Sequence, residues 1–391
     1  MKLLVIGCGQ CGGRIADEFA RLDRRARRQR RMEIITDAFA VDTDIADLSG
    51  LTTIKADYHH RILIGGQKTR GHGVGKVNEL GAEVAKEDGD MVVEAVGATR
   101  PFPEVDGFLL IAGAAGGTGS GAIAILTQQL KERYVERPLY NMIVLPFKQE
   151  ETIEARDFYN VATCLKSAYS VADAVFLVDN QRYARSKSSI GNNLDYINAL
   201  VVEPFYNLLC AGEEKKNRYI GSRTLDAGDI IQTLIGWTVI GSGKSQVPRI
   251  GFPLIARRNF REKVTEAEKG IQALDEALGG LSLECTPVDS RRVLYLLSGP
   301  STEMSIGIIR DIQAHLKTIA PQASIRGSDY PREKGLLEVT VILSELAKVA
   351  KVMSYFSKAI EFISAAKNKE RGIQGGHREI EVDFKDIPSL L

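Results

Sequence analysis

Short apolar runs, each closed by glycine or a polar turn, recur through the first half of the chain. Lys2-Leu3-Leu4-Val5-Ile6, Ala38-Phe39-Ala40-Val41, Phe108-Leu109-Leu110-Ile111, Tyr140 to Leu145 and Val175-Phe176-Leu177-Val178 read as buried strands. Behind the third run, Ile123, Leu126 and Leu130 repeat on one helical face. Strands alternating with helices predict an α/β fold with a parallel, Rossmann-like sheet. An amphipathic stretch from about Leu194 to Cys210 predicts a long central helix, bent or partly broken at Pro204. Thr224-Leu225-Asp226-Ala227-Gly228-Asp229 then leads into a helical pattern through Ile231, Leu234 and Ile235.

The second half reads as a smaller α+β unit. Thr265-Glu266-Ala267-Glu268 forms a capping box ahead of a helix that stops at Gly279. Arg292 to Leu297 is a strand pattern, and Ile308, Ile312 and Leu316 mark a helix face. Ser324 to Gly327 and Leu336 to Leu343 read as strands joined by a polar turn at Asp329-Tyr330-Pro331. This order suggests a small sheet backed by helices, for packing and subunit contact. The boundaries that follow are 1–192, a central helix 193–212, 213–345, a terminal helix 346–366 and a flexible tail 367–391. The tail is polar and glycine-bearing at first, then apolar from Asp383 to Leu391.

Composition narrows the class. A length of 391 residues exceeds the usual single core and favours two domains. Lys and Arg number 51 against 50 Asp and Glu, so global charge does not point to nucleic acid. No apolar run approaches the ~18 residues of a membrane span, so any membrane link is expected to be indirect. Five scattered cysteines suit a reducing cytoplasm better than a disulfide framework.

Candidate chemistry lies at the strand ends. Gly113-Ala114-Ala115-Gly116-Gly117-Thr118-Gly119-Ser120-Gly121 stands between a strand and a helix. Glycines there let backbone amides approach an anion, and the helix N-terminus adds a positive dipole end. The loop holds no Lys or Arg, so amides, the Thr118 and Ser120 hydroxyls and a metal ion would meet phosphate charge. Gly7-Cys8-Gly9-Gln10-Cys11-Gly12 after the first strand fits a dinucleotide fingerprint, with Asp42 as the acid. That makes an NAD-dependent oxidoreductase the rival, although Asp42 lies farther on than usual and the second loop goes unexplained. Cys8 and Cys11 also show a redox spacing, without a second pair to close a zinc site.

Other features have plainer readings. Gly241-Ser242-Gly243-Lys244-Ser245 lacks the leading glycine of a P-loop, since position 238 is Thr. Arg21 to Arg31 holds seven arginines, which reads as a solvated helix end. His59, His60 and His72 lack companions at metal-ligand spacing. Asp226 and Asp229, beside a helix start, read as capping and dipole compensation. Asn180 and Asn198 each carry a donor and an acceptor and, taken singly, read as surface or capping residues.

Gly116 to Gly121 resembles the phosphate loop of the tubulin/FtsZ superfamily of polymerising GTPases. Gly9-Gln10-Cys11-Gly12 is similar to the first nucleotide loop on the tubulin side, whereas the overall length is FtsZ-like. That mixture resembles the archaeal CetZ group over roughly residues 1–345. The resemblance implies GTP or GDP with Mg²⁺, held by Gly9, Gln10, Cys11, Gly12, Gly13, Arg14, Gly116, Gly117, Thr118, Gly119 and Ser120. Gln10 would also help to position Mg²⁺. Glu150 after Pro146-Phe147 takes the ribose position, with Glu151 as the alternative. Asn180 and Asn198 take the base-reading positions, and Leu194 stands where the family stacks an aromatic. Gly71 to Lys76 takes the place of a mobile loop near the γ-phosphate. Asp226 and Asp229 match a hydrolysis loop that completes a neighbouring subunit's site, with Thr224 where FtsZ-like chains have Asn. Head-to-tail filaments, cell-shape control (or division, on the FtsZ side) and an adaptor bound by residues 383–391 are further implications.

Overall fold

A computed structural model describes residues 1–100, 102–151, 155–184, 190–245, 266–370 and 387–391. Six parallel strands run through the first half: β1 (Leu3–Cys8), β2 (Ile35–Asp42), β3 (Arg61–Leu63), β4 (Gly107–Gly113), β5 (Leu139–Leu145) and β6 (Ala174–Asp179). Then follow β7 (Gly236–Lys244), β8 (Arg292–Pro300), β9 (Ser324–Arg332) and β10 (Glu338–Ser344). All ten form one sheet in the order β3-β2-β1-β4-β5-β6-β7-β10-β8-β9. β7 is the joint: it lies parallel to β6 over three residue pairs and antiparallel to β10 over six.

Helices cover both faces. In chain order they are α1 (Gly9–Arg30), α2 (Ile45–Ser49), α3 (Gly66–Thr69), α4 (Asn78–Gly97) and α5 (Thr118–Arg133). Next come α6 (Lys148–Glu151), α7 (Ala155–Val171), α8 (Asn180–Tyr183), α9 (Ile190–Gly212) and α10 (Ala227–Thr233). The last three are α11 (Glu266–Gly279), α12 (Ile306–Ile319) and α13 (Ala350–Glu370). None of the described helices is long and apolar enough to cross a membrane.

Period-two alternation builds two cores rather than one per domain. Leu4 and Ile6 of β1 enter one core, with residues of α4, α5, α7, α11 and α13; Leu3 and Val5 enter the other, with α1 and α9. β8 repeats the pattern, sending Val293, Tyr295 and Leu297 one way and Leu294 and Leu296 the other. Each core therefore runs through both halves of the chain.

Several sequence expectations change. α9 is not broken at Pro204 but continues through it, and the neighbouring Phe205 packs edge-on against Phe19 and Phe176. Asp329-Tyr330-Pro331 is not a turn but the end of β9, at the sheet edge where Pro costs little. α10 stops at Thr233, so Ile235 lies beyond it, and both Ile231 and Ile235 are exposed. The terminal helix expected at 346–366 runs from Ala350 to Glu370. Thr265 of the capping box and Asp383 to Asp386 of the tail lie outside the described residues. Gly241 and Gly243 lie in β7, where a Cβ would come within 2.3 Å of the Ala277 backbone, so they serve helix packing.

The arginine run is only partly a solvated face. Arg27 pairs with Asp23 and Glu33, but Arg30 leaves α1 for the seam between the halves. Its guanidinium donates to Asn207 Oδ1 at 2.6 Å and stands 4.1 Å over the Tyr206 ring. Beside it, Arg332 donates to the Tyr330 hydroxyl at 2.8 Å, and that hydroxyl donates to Glu214 at 3.0 Å. His60 is likewise structural, stacked on Phe39 and bonded to Asp57.

Candidate functional site

The helices after β1 and β4 begin at one place, and neither start is closed by a side chain. Cys8 precedes α1 and Gly117 precedes α5; neither caps its helix, and neither first turn holds an acid. The N-terminal amides of two long helices therefore keep unused donors, a ready anion site.

Glycine brings the two starts together. Gly9 has φ of +70°, and a Cβ on it would stand 2.8 Å from the Gly119 nitrogen. A Cβ on Gly119 would stand 2.6 Å from the Cys8 carbonyl, and one on Gly12 2.0 Å from the Ile111 carbonyl. Gly116 differs: a Cβ there would meet nothing within 4 Å. Packing does not demand that glycine, and its open side faces a cavity.

That cavity, of about 430 Å³, is walled by both loops, by residues 73–76 and by the C-terminal ends of β2 and β5. Of the sequence candidates, Gly9, Gln10, Cys11, Arg14, Gly116, Gly117, Thr118, Gly119, Glu150, Asn180 and Asn198 line it, as does Leu194. Gly12, Gly13 and Ser120 do not. Gly12 and Gly13 are buried in α1, and the Ser120 hydroxyl turns back to donate to the Gly116 carbonyl rather than facing the cavity. Thr118 Oγ1 lies 2.6 Å from Thr43 Oγ1 and ties the start of α5 to the end of β2. Glu150 accepts from the Phe147 amide at 3.0 Å, closing the turn after β5. Cys8 and Cys11 are free thiols, and burial raises both well above their ordinary pKa, Cys11 to about 12, which disfavours the thiolate that redox chemistry uses.

Sequence reasoning missed several wall residues. Asp44 and Asp47 join Asp42 at one side, with the Gln10 amide donating to Asp47. Phe147 supplies an aromatic surface, for which the Pro-Phe after a strand was the available signal. Lys76, at φ of +62°, reaches Asp157 of α7 at 3.2 Å, and Asn160 donates to the Lys76 and Ala115 carbonyls at 3.0 Å. One turn of α7 thus holds both the 73–76 loop and the glycine loop after β4. Asp226 and Asp229 lie elsewhere. Asp226 caps α10, accepting from the Asp229 amide at 2.7 Å, and the Asp229 carboxylate pairs with Arg326 of β9.

Burial raises the Asp42 carboxyl to about 7, against the opposing hydrogen bond from the Thr43 amide; Asp47 and Asp44 add to the rise. In the unfolded chain such a group ionises near pH ~4. The folded state therefore loses stability at this residue as pH climbs from ~4 to about 7, and the loss is complete above that. Asp42→Asn should raise the unfolding temperature of the nucleotide-free protein at pH 8 more than at pH 5, by on the order of 2–4 kcal/mol of stability. Equal gains at both pH values in a thermal melt would remove this account of Asp42.

Comparison with known proteins agrees with this geometry. The Tubulin/FtsZ family GTPase domain matches residues 2–187, and the Tubulin-like CetZ C-terminal domain matches 187–361. Tubulin-like protein CetZ1 of Haloferax volcanii is 32% identical over 382 residues, covering 92% of each chain. Among solved structures, a GDP-bound monomer of CetZ1 from Haloferax volcanii superposes with a TM-score of 0.79 at 29% identity, covering 93% of this chain and 100% of that one. A GTPγS-bound protofilament of CetZ2 from the same organism gives 0.77 at 29%, covering 94% and 100%. With two uncapped helix starts meeting at one cavity and both family domains present in order, this chain belongs to the tubulin/FtsZ family and, within it, to the CetZ group.

Proposed function

We propose that this chain binds GTP with Mg²⁺, assembles head to tail into filaments and hydrolyses GTP where successive subunits meet. The observation that carries the reading is the convergence of two long, uncapped helix N-termini on one cavity. The phosphates lie against the amides of residues 9–11 and 116–119, with Arg14 and Lys76 as the wall's cations. Asn180 and Asn198 read guanine, and Glu150 the ribose. The GDP of the CetZ1 structure and the GTPγS of the CetZ2 protofilament support a guanine nucleotide.

Mg²⁺ fits the walls in a restricted way. Asp42, Asp44 and Asp47 offer hard oxygen donors beside Gln10. Yet no group of three or more His, Cys, Asp or Glu among the described residues is placed to hold a metal by itself. That suits an ion that keeps several waters and is bound largely through substrate phosphates.

Asp226 and Asp229 lie outside their own subunit's cavity, which supports supplying them to the next subunit. Such a heterologous contact does not close on itself, so it extends into a filament. In the cytoplasm the filament serves cell shape rather than division, with the tail at 383–391 offered to an adaptor through which any membrane contact is made. Electron microscopy of the purified protein should show filaments with GTP and far fewer with GDP; the same picture with both nucleotides, or filaments with neither, would discard the reading.

Nucleotide choice gives a further test. The parent protein should bind GTP much more tightly than ATP, and Asn198→Ala should weaken GTP by ~1–3 kcal/mol, roughly five- to 150-fold, while leaving ATP nearly unchanged. Equal losses for both nucleotides in competition binding would move Asn198 from base reading to general packing.

A further inference from the structure

The last five residues return to the nucleotide-binding half of the molecule. Ile387 is 1% exposed and Leu390 7%, whereas Pro388 and Ser389 between them are exposed. Two hydrogen bonds fix the segment on α7: the Leu390 amide donates to the buried Ser167 Oγ at 2.9 Å, and Lys166 Nζ donates to the Ile387 carbonyl. Both apolar side chains join the buried cluster that contains Val161 and Leu165 of α7 and Tyr355 and Ile360 of α13. The tail's apolar pattern thus has an occupant's place within its own chain.

We propose that the α7–α13 face is a reversible docking site for the chain's own C-terminus, masking Ile387 and Leu390 while they are seated. Register is set by a side chain every third residue and by backbone bonds at both anchors, which marks a fitted contact rather than loose collapse. The contact is nevertheless shallow. Burial of two aliphatic side chains gains free energy of the same order as the cost of ordering five residues, so docked and released forms lie close.

The connection decides whose tail is seated. Residues 371–386 separate the segment from α13 and span at most ~55 Å when extended. A tether of that length holds the tail at an effective concentration on the order of millimolar near its own face, above that of a second copy in dilute solution. Any protein that grips Ile387 and Leu390, including the adaptor offered above, competes with α7 and loses apparent affinity in proportion to the docked fraction. The docking itself does not depend on the GTPase reading.

Hydrogen exchange on the full chain, read by mass spectrometry over residues 387–391, tests this. The segment should exchange ~10-fold more slowly than in an Ile387→Asp/Leu390→Asp variant, at every protein concentration. A tenfold excess of a chain ending at residue 386, whose empty face can compete for the tail, should leave that protection unchanged. Equal rates in parent and variant would overturn the docking. Protection that grows with concentration, or falls when the shortened chain is added, would overturn docking within the chain and assign the tail to a neighbouring copy.

Discussion

An Asp229→Ala chain is expected to bind GTP and assemble as the parent does, yet turn over ~10²-fold more slowly, as follows from losing a group that positions the attacking water. The two acids are not equivalent as targets. Asp226 caps α10, so Asp226→Ala also removes a helix cap, typically ~1 kcal/mol, and its kinetics would mix stability with chemistry. Asp229 makes no such cap and is held by Arg326 on β9. Neither acid lines the cavity of its own subunit. If they act in the neighbour's cavity, turnover per subunit should collapse on dilution below the assembly threshold. Phosphate release measured across a dilution series is the check, and turnover per subunit that stays constant far below the threshold would reject a shared site. Mixing Asp229→Ala with a variant that cannot hold nucleotide but still presents its own Asp229 should restore part of the activity, because each supplies what the other lacks.

Gly116→Val is the variant to supply that partner, and it should lose GTP and GDP binding by ~10²-fold or more while keeping its fold. The side chain enters open cavity rather than protein, so folding has little reason to suffer. The same bulk displaces the phosphate from amides worth ~1.5–3 kcal/mol for each charged hydrogen bond. Gly119→Val is the contrast. Its Cβ would press within 2.6 Å of the Cys8 carbonyl, forcing the two helix starts apart, so stability falls by ~1–3 kcal/mol together with binding. Calorimetric titration beside a denaturation curve separates the two variants. Retained affinity in Gly116→Val would show that the open side of this glycine does not face the nucleotide.

Both glycine loops were legible in sequence because the demand that shapes them is local. A glycine-rich turn between a strand and a helix states where backbone must come close, though not to what. Here much of the crowding is between the loops themselves, and only Gly116 answers to the cavity alone. Ser120 shows the limit of that legibility: its hydroxyl finds a partner four residues back, at the Gly116 carbonyl just ahead of its helix, a contact no spacing rule separates from an outward one. Asp44, Asp47 and Asp157 were illegible for another reason. They come from two connections, Asp44 and Asp47 after β2 and Asp157 after β5, and acquire a role only when the parallel sheet gathers its strand ends. Tyr330 is similar, since the turn chemistry of Asp329-Tyr330-Pro331 gave way to a long-range fit among Arg30, Arg332 and Glu214.

The joint at β7 also has a mechanical consequence. The ladders β5–β6 and β7–β10 each carry six residue pairs, whereas β6–β7 carries three, from Ala174–Gly236 to Phe176–Thr238. Stiffness in a sheet is shared among the rungs that cross each line; β2–β3, at the sheet edge, is as short, but of the ladders between β1 and β9 this one meets a load along the strand order with the greatest compliance. A subunit flexed by its neighbours would yield there first, with α9 alongside as the spar that limits how far the two wings can turn.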